Sequence, residues 1–322
     1  MTKADAAIIP GHTRTGDLRT HHAFHSKFLT TDHDVYVYLP PTYGSEDGRR
    51  YPVLYMHDGQ NLFDRATAFR AEWQVDETAQ RLILSGAIEP LIIVGISNAG
   101  IFRIEEYTPT RDRIRKIGGS AALYGRMLVE ELKPFVDAEY RTLSDVANTG
   151  MGGSSLGGLV SLYFGLLYSD VFSRLAIISP SVWWDNRFIV RRVRNLGVKP
   201  PSRVWLSAGT LEGPGVIEGA RRIRDIMIAK GWTLGEDLSH TEIEGGHHTE
   251  EAWVHVVEPM LKFLFPGVTA NGGQPSHGRT EEDGVRKDGK EAAPQVPEVR
   301  ITGETDNSSS ADGLGPKVRR SP

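Results

Sequence analysis

Short apolar runs alternate along the chain with longer segments whose hydrophobic residues have helical spacing. The short apolar runs have the length of buried strands and lie at 51–56, 91–96, 175–179 and 204–208, and two less apolar strands are predicted at 145–151 and 239–244. The segments of helical spacing lie at 73–85, 124–140, 156–167, 186–195, 216–230 and 250–265. This alternation predicts an α/β fold, with a mostly parallel central sheet and helices on both faces.

Two further strands are predicted before this alternation begins. They lie at 24–29 and 35–39, and the polar sequence TTDHD separates them. A short polar turn between two strands is typical of an antiparallel hairpin. In mostly parallel sheets, chemistry sits on the loops that follow the carboxyl ends of strands, so candidate functional residues are sought there.

The composition separates the chain into three parts. Residues 267–322 contain no Phe, Tyr or Trp and are rich in Gly, Pro, Ser and mixed charge. Such a segment cannot bury enough apolar surface to offset the entropy of ordering it. We therefore expect a flexible N-terminus at 1–16, a catalytic domain at 17–266 and a disordered tail at 267–322.

Charge and cysteine content exclude several classes of protein. The net charge of −4 gives no electrostatic footprint for nucleic acid and no basic face for anionic lipid. The absence of cysteine excludes disulfides, thiolate metal sites and a cysteine nucleophile. The N-terminal sequence lacks the apolar stretch of a secretory signal peptide, so we expect a cytoplasmic location.

A G-x-S-x-G sequence lies between a predicted strand and a predicted helix, at residues 153–157. In that context it is typical of a nucleophile elbow, a sharp turn that exposes one serine at the top of the sheet. The exposed residue would be Ser155, whereas Ser154 would point elsewhere. The alternatives are a glycine-rich turn that lets a helix pack closely, or a phosphate loop, although no Lys follows as a P-loop requires.

A serine nucleophile requires a base and an acid that orients the base. In this strand–turn–helix setting the expected chain order is Ser, then Asp or Glu, then His. Glu212 follows the predicted strand 204–208, and His247 and His248 follow 239–244. Thr249 is a suitable N-cap for the last helix and would hold His248 just before it. The residues alone leave the choice between the two histidines open.

Two backbone N–H groups are candidates for binding the oxyanion that forms during attack on an ester. Leu156 directly follows the nucleophile at a helix N-terminus. The second donor should come from the loop after strand 51–56, where Gly59 allows close backbone approach and Gln60 offers its N–H. We expect His57 and Asp58 to hold this loop by hydrogen bonds rather than to act in catalysis.

Several motifs resemble those of the putative esterase family: HDGQNLFD (57–64), EWQVDETAQRL (72–82), IVGISN (93–98), EYTPTRD (106–112), GGSSLGG (152–158) and SPSVWW (179–184). This family includes enterochelin, feruloyl and acetylxylan esterases, esterase D-type hydrolases and mycolyltransferases. The resemblance implies the α/β-hydrolase fold, with Ser155 as nucleophile. The family's His-x-Glu-x-x-Trp pattern matches at His248, Glu250 and Trp253, which favours His248 as the base. Many members have Asp where Glu212 stands, and Asp185 is the alternative acid.

Aromatic residues near strand ends are candidates for binding substrate. Trp183 and Trp184 follow a predicted strand, and Tyr107 lies in the EYTPTRD motif, so we expect all three at the cleft. His21, His22 and His25 have no standard metal-ligand spacing. The chemistry requires neither a metal nor another cofactor.

The sequence thus predicts a serine esterase that acts on a small-molecule ester through an acyl-enzyme. One alternative is an acyltransferase with the same triad, in which an alcohol replaces water. The other is a non-catalytic binding protein on a hydrolase scaffold.

Overall fold

The computed structural model describes residues 11–267, which form one eight-stranded sheet covered by helices. The strands are β1 Asp17–Phe24, β2 His33–Leu39, β3 Val53–His57, β4 Ile92–Ile96, β5 Thr149–Ser154, β6 Arg174–Ile178, β7 Arg203–Gly209 and β8 Leu238–Ile243. Their spatial order is β1-β2-β4-β3-β5-β6-β7-β8. β2 is antiparallel to both β1 and β4, and all other neighbours are parallel.

Helices connect the parallel strands. They are α1 Val75–Leu84, α2 Arg103–Glu106, α3 Ala121–Arg126, α4 Lys133–Glu139, α5 Leu156–Leu167, α6 Trp184–Arg194, α7 Pro214–Ala229 and α8 Glu250–Leu264. Short 3₁₀ turns lie at Gly59–Asn61, Gly100–Phe102 and Val146–Asn148. A π-helical segment, Met127–Leu132, joins α3 to α4.

Two hydrophobic cores lie on opposite faces of the sheet. Along β3, Val53 and Tyr55 enter one core and Leu54 and Met56 enter the other, as the two-residue period of a strand requires. The first core includes residues of α3, α5, α6 and α7, and the second those of α1 and α8. The predicted sheet with helices on both faces is therefore confirmed.

The first predicted strand, 24–29, is wrong. Strand β1 lies earlier, at Asp17–Phe24, and pairs with β2 up to a register shift between His21 and Phe24. Phe28 and Leu29 pack against the core from the connecting loop instead of from a strand. The apolar residues of this loop therefore resemble a strand in the sequence pattern. The observed strand β1 has a polar sequence because it lies at the half-exposed edge of the sheet.

The strand before the candidate nucleophile begins later than predicted. We expected 145–151, but Val146–Asn148 forms a 3₁₀ turn and β5 covers Thr149–Ser154. Glycine-rich strands carry little β-propensity. Here Gly152 is required, because a Cβ would lie 2.5 Å from the Ala176 Cβ on β6. Close strand packing therefore decides the position of β5.

Residues before β1 are bound to the rest of the domain where the structure describes them. Of the flexible N-terminus expected at 1–16, residues 1–10 lie outside the described part. The Thr13 hydroxyl donates to Glu72 at 2.6 Å, the Arg14 side chain donates to Asp64, and the Thr15 N–H donates to Asp76. Thus residues 12–15 make hydrogen bonds to the domain, and the flexibility of 1–16 stays a prediction.

The tail predicted to be disordered lies outside the described residues from 268 onward. Within 11–267, no helix combines the length and apolarity needed to cross a membrane.

Candidate active site

Ser155 occupies a strained turn between β5 and α5. Its backbone has φ 58° and ψ −119°, which an L-residue adopts only at a steric cost. The Ser155 N–H donates to the Ile178 carbonyl and the Ser155 carbonyl accepts from Ser181, which holds the turn against β6. Ser154 is buried but also lines the cleft beside Ser155, so the expectation that it points elsewhere is wrong. This is the geometry of a nucleophile elbow.

The loop after β3 lies beside the elbow. A Cβ on Gly59 would lie 2.5 Å from Gly95 C and Ile96 N, so only glycine allows this close approach to β4. Gln60 follows within the 3₁₀ turn, whose first N–H groups have no intrahelical acceptor. The Gln60 side chain accepts from the Asn98 N–H at 3.1 Å, which fixes its direction. Leu156 is the first residue of α5, so its N–H also has no acceptor within the helix.

A buried ion pair supports this loop. The Arg103 guanidinium donates to both oxygens of Asp58, at 2.7 and 2.8 Å, and the Asn98 side chain donates to one of them. Burial on its own would raise the pKa of Asp58, but Arg103 and Asn98 hold it below its usual value. Asp58 therefore stays ionised and fixes a backbone that has a left-handed conformation, with φ 59°.

His57 packs beneath the elbow as a neutral side chain. Its ring is buried, and desolvation lowers its pKa to about 3. Its Nδ1 lies 3.0 Å from the Tyr124 hydroxyl, and its Cβ would meet side chains placed on Gly153 or Gly157. These contacts explain why glycines flank the serines, and they agree with the structural role expected for His57.

His248 and Glu212 form a hydrogen-bonded pair at the carboxyl end of the sheet. His248 Nδ1 lies 2.8 Å from Glu212 Oε2, and the Glu212 side chain is fully buried while that of His248 is 35% exposed. Thr249 caps α8 by accepting from the Ala252 N–H, as the sequence predicts. His247 is exposed. The geometry thus joins Glu212 to His248 and not to His247.

Asp185, the alternative acid, lies in the first turn of α6. Its backbone carbonyl, rather than its carboxylate, accepts a bond from Arg191. Asp185 does not contact His248 among the described residues, so Glu212 is the carboxylate that the structure brings to the histidine.

Ser155 and His248 line one cleft of about 860 Å³. In the described part of the chain, the Ser155 hydroxyl contacts the Ser181 hydroxyl at 3.3 Å and is not bonded to the His248 ring. Catalytic hydrogen bonds are often loose without substrate and tighten when it binds. Most residues of the cleft wall have polar side chains, and besides Ser155 and His248 these are Asp34, Asp58, Gln60, Asn61, Thr67, Arg70, Ser97, Asn98, Arg103, Ser154 and Glu250.

The prediction that Tyr107 and Trp184 line the cleft is wrong. Tyr107 is fully buried, and its hydroxyl accepts the Asp58 N–H at 3.2 Å. Trp184 is buried, and its indole donates to the Thr110 carbonyl. Tyr107 lies at the end of α2 and Trp184 begins α6, and both side chains pack in the hydrophobic core instead of lining the cleft. Trp183 is 41% exposed and stacks with Arg115, outside the residues that line the cleft.

Some cleft residues were missed by the sequence analysis. Asn98 lies just beyond β4, so its position after a strand was an available signal. Ser179 and Ser181, just beyond β6, are buried behind the cleft and carried the same signal. Arg103 lies in α2, well past its strand, and only the fold brings it to Asp58.

Two groups of residues bear on metal binding. His21, His22 and His25 pair separately, with Tyr140, Asp34 and Asp32 respectively. Carboxylate oxygens come within 4.8 Å of one another at Glu72, Asp76 and Glu77.

Protonation of Asp76 reduces the repulsion between the carboxylates of this acidic group. Burial and a hydrogen bond with Glu77 raise the pKa of Asp76 to about 9. Thr13 and Thr15 donate to Glu72 and Asp76.

Comparison with known proteins identifies the family. Residues 26–264 match the family described as Putative esterase. The protein YjcH of Bacillus subtilis is 30% identical over 253 residues, which are 75% of this chain and 95% of that protein. The ferri-bacillibactin esterase BesA of the same organism is 29% identical over 238 residues, covering 65% of this chain and 73% of that protein.

Solved structures share the fold. The BES protein from Bacillus cereus superposes with a TM-score of 0.61 at 20% identity, covering 82% of this chain and 98% of that one. Together with the family match over most of the described residues, this shows that the chain belongs to the putative esterase family and is a carboxylic ester hydrolase with the α/β-hydrolase fold.

Proposed function

We propose that this esterase cleaves small-molecule esters through an acyl-enzyme on Ser155, with His248 as base and Glu212 as the acid that orients it. The observation that carries the proposal is the position of a strained Ser155 in the same cleft as the His248–Glu212 pair. Backbone strain at a serine in the cleft reduces stability, and a protein that only binds ligands gains nothing from it. The strain therefore disfavours the binding-protein alternative.

The reaction begins when substrate enters and the Ser155 hydroxyl turns from Ser181 toward the Nε2 atom of His248. His248 takes the proton as Ser155 attacks the ester carbonyl. Glu212 holds Nδ1–H and stabilises the imidazolium that forms. The tetrahedral oxyanion accepts hydrogen bonds from the Leu156 and Gln60 N–H groups.

Collapse of this intermediate transfers the proton from His248 to the leaving alcohol. Water, activated by the same histidine, then attacks the acyl-enzyme and releases the acid. Because the His248 side chain is 35% exposed, water reaches the base readily. This exposure favours hydrolysis over acyl transfer to an alcohol, which requires a drier cleft.

The lining of the cleft supports polar substrates. Its side chains offer many hydrogen-bond donors and acceptors, and its aromatic side chains are Tyr36, Phe69 and Trp253. Relatives include the ferri-bacillibactin esterase noted above and an endo-1,4-beta-xylanase/feruloyl esterase of Xylanibacter ruminicola. We expect an ester whose acyl or alcohol part carries several hydrogen-bonding groups, rather than a long alkyl chain.

Replacement of Ser155 tests the mechanism. We expect Ser155→Ala to lower kcat on p-nitrophenyl acetate by at least about 10³-fold and to abolish labelling by a fluorophosphonate probe, because the nucleophile is gone. Ser207→Ala is the matched control and should keep both properties, because Ser207 is buried and is not among the residues that line the cleft. Wild-type turnover by Ser155→Ala would refute the proposal.

A further inference from the structure

Ser179 links the acid of the proposed triad to the last helix. It directly follows β6, and its hydroxyl donates to Glu212 Oε1 at 2.6 Å. The same hydroxyl accepts the indole N–H of Trp253 at 3.0 Å. Since Ser179 and the Glu212 side chain are both fully buried, water does not compete for these bonds. A continuous chain therefore runs from Trp253 through Ser179 and Glu212 to His248.

The two oxygens of Glu212 have separate partners. Oε1 accepts from the Ser179 hydroxyl and from the Gly209 N–H, at 2.6 and 2.7 Å. Oε2 lies against His248 Nδ1. Because a carboxylate oxygen has two acceptor positions, the two donors on Oε1 fix the plane of the group and leave Oε2 for the imidazole.

Trp253 determines the direction of this chain. An indole N–H only donates, so the Ser179 oxygen must accept from it and direct its own proton to Glu212. The Trp253 ring also packs edge-to-face against His248, with centroids 5.0 Å apart and an interplanar angle of 84°. Trp253 thus contacts His248 directly and orients Glu212 through Ser179.

The backbone of Ser179 indicates why a hydroxyl-bearing residue is present. Its φ is +46°, a conformation that costs an L-residue about 1–2 kcal/mol and that glycine adopts freely. What serine provides and glycine lacks is the hydroxyl, and both of its bonds lead to the active site.

We propose that Ser179 and Trp253 are positioning residues that select the carboxylate oxygen presented to His248 and fix the imidazole for proton transfer. This inference rests on the proposed serine mechanism. Neither residue touches the reacting atoms; both act through Glu212 and His248.

The first test is Ser179→Ala, with Ser207→Ala as its matched control. Ser207 is equally buried, but its hydroxyl has no partner among the described residues. We expect Ser179→Ala to lower kcat on p-nitrophenyl acetate by about tenfold with little change in KM, the scale at which outer partners of a functional histidine act. Ser207→Ala should keep both constants. Equal kcat values for the two variants would overturn the inference.

A second pair of variants separates positioning from structural support. Ser179→Gly removes the hydroxyl while relieving the backbone strain, so its melting temperature should not fall as far as that of Ser179→Ala, whereas its kcat should fall equally. Trp253→Phe should also lower kcat, but Trp205→Phe should not, because the Trp205 N–H has no partner in the described part. Loss of kcat only in proportion to lost stability would contradict a positioning role.

Fluorophosphonate labelling distinguishes this inference from the mechanism on which it rests. Rapid labelling of the wild-type protein at Ser155 with slower labelling of Ser179→Ala supports both. Equal labelling rates in the two proteins overturn the positioning role alone. Absence of labelling in the wild-type protein overturns the serine mechanism and this inference together.

Discussion

At the scale of single residues, the site depends on a few polar side chains that burial makes sensitive to change. Asp58 is an example, because its carboxylate neutralises Arg103 beneath the cleft and braces the backbone that presents Gln60. Removing one member of a buried ion pair leaves the other charge without compensation.

Asp58→Asn should therefore be costly. We expect the free energy of unfolding to fall by about 2 kcal/mol, because the Arg103 guanidinium, which is 25% exposed at the cleft, loses its ionised partner. Urea unfolding would measure this change. Glu46→Gln removes the acid of an exposed pair with Arg49 and should change stability by less than about 0.5 kcal/mol. If Asp58→Asn also lowered the free energy of unfolding by less than about 0.5 kcal/mol, the Asp58–Arg103 pair would contribute little to stability.

At this scale, position on the loop after a strand predicted which residues lie near one another. Glu212 and His248 lie on the loops after β7 and β8, and their side chains are in contact, whereas the catalytic roles of Ser155, Glu212 and His248 stay predictions. Sequence analysis failed for Tyr107 and Trp184, because an aromatic side chain near a strand end can fill either the cleft or the core. The position of an aromatic residue in the sequence does not show whether its side chain fills the cleft or the core, because that depends on the space between neighbouring helices.

At the scale of elements, close packing of the backbone determines the positions of strands that the hydrophobic pattern of the sequence does not predict. The strands β3, β4, β6 and β7 were predicted to within about two residues because buried strands are continuous apolar runs. The edge strand β8 was predicted equally well although its sequence LSHTEI is mostly polar. The edge strand β1 was displaced because its residues are polar, and β5 because glycines carry no hydrophobic signal. Glycines in β5 and in the loop after β3 instead mark where backbones approach closely.

Gly59→Ala tests this close approach. The added methyl group would lie 2.5 Å from backbone atoms of β4, which cannot move without disturbing the sheet. We expect a stability loss of about 2 kcal/mol or more and a loss of kcat, because the Gln60 N–H is displaced. Thermal unfolding and p-nitrophenyl acetate assays would measure these effects.

Gly44→Ala is the control for this substitution. No atom lies within 4 Å of the added methyl group at Gly44, so stability and kcat should remain close to those of the wild-type protein. If both alanine variants behaved alike, steric contact with β4 would not be the reason for glycine at position 59.

At the scale of the whole molecule, the buried acidic group under residues 13–15 makes stability depend on pH. The pKa of Asp76 is about 9 in the folded protein, against an ordinary value of 3.8. Between these values the folded state holds a proton that the unfolded state has lost, so stability falls as pH rises. The loss is complete only above the folded pKa.

Asp76→Asn should remove this dependence, because an amide has no proton to lose and can donate to a neighbouring carboxylate. We expect the variant to match the wild-type protein at about pH 4 and to melt progressively higher than it toward pH 9, by roughly 2–4 °C per kcal/mol. Asp170→Asn, at an exposed position, should follow the wild-type curve. Parallel curves for Asp76→Asn and the wild-type protein would mean that Asp76 is ionised in the fold.

The packing of α8 has a consequence for how the enzyme is made. Trp253 stacks on Trp73 of the segment before α1 and bonds Ser179 beyond β6, so the last helix ties early and late parts of the chain together. While α8 is still inside the ribosome, the nascent chain lacks these two contacts of Trp253, even though Ser155 and its turn have already emerged. We therefore expect ester cleavage to begin only after α8 has emerged from the ribosome and packed against Trp73 and Ser179.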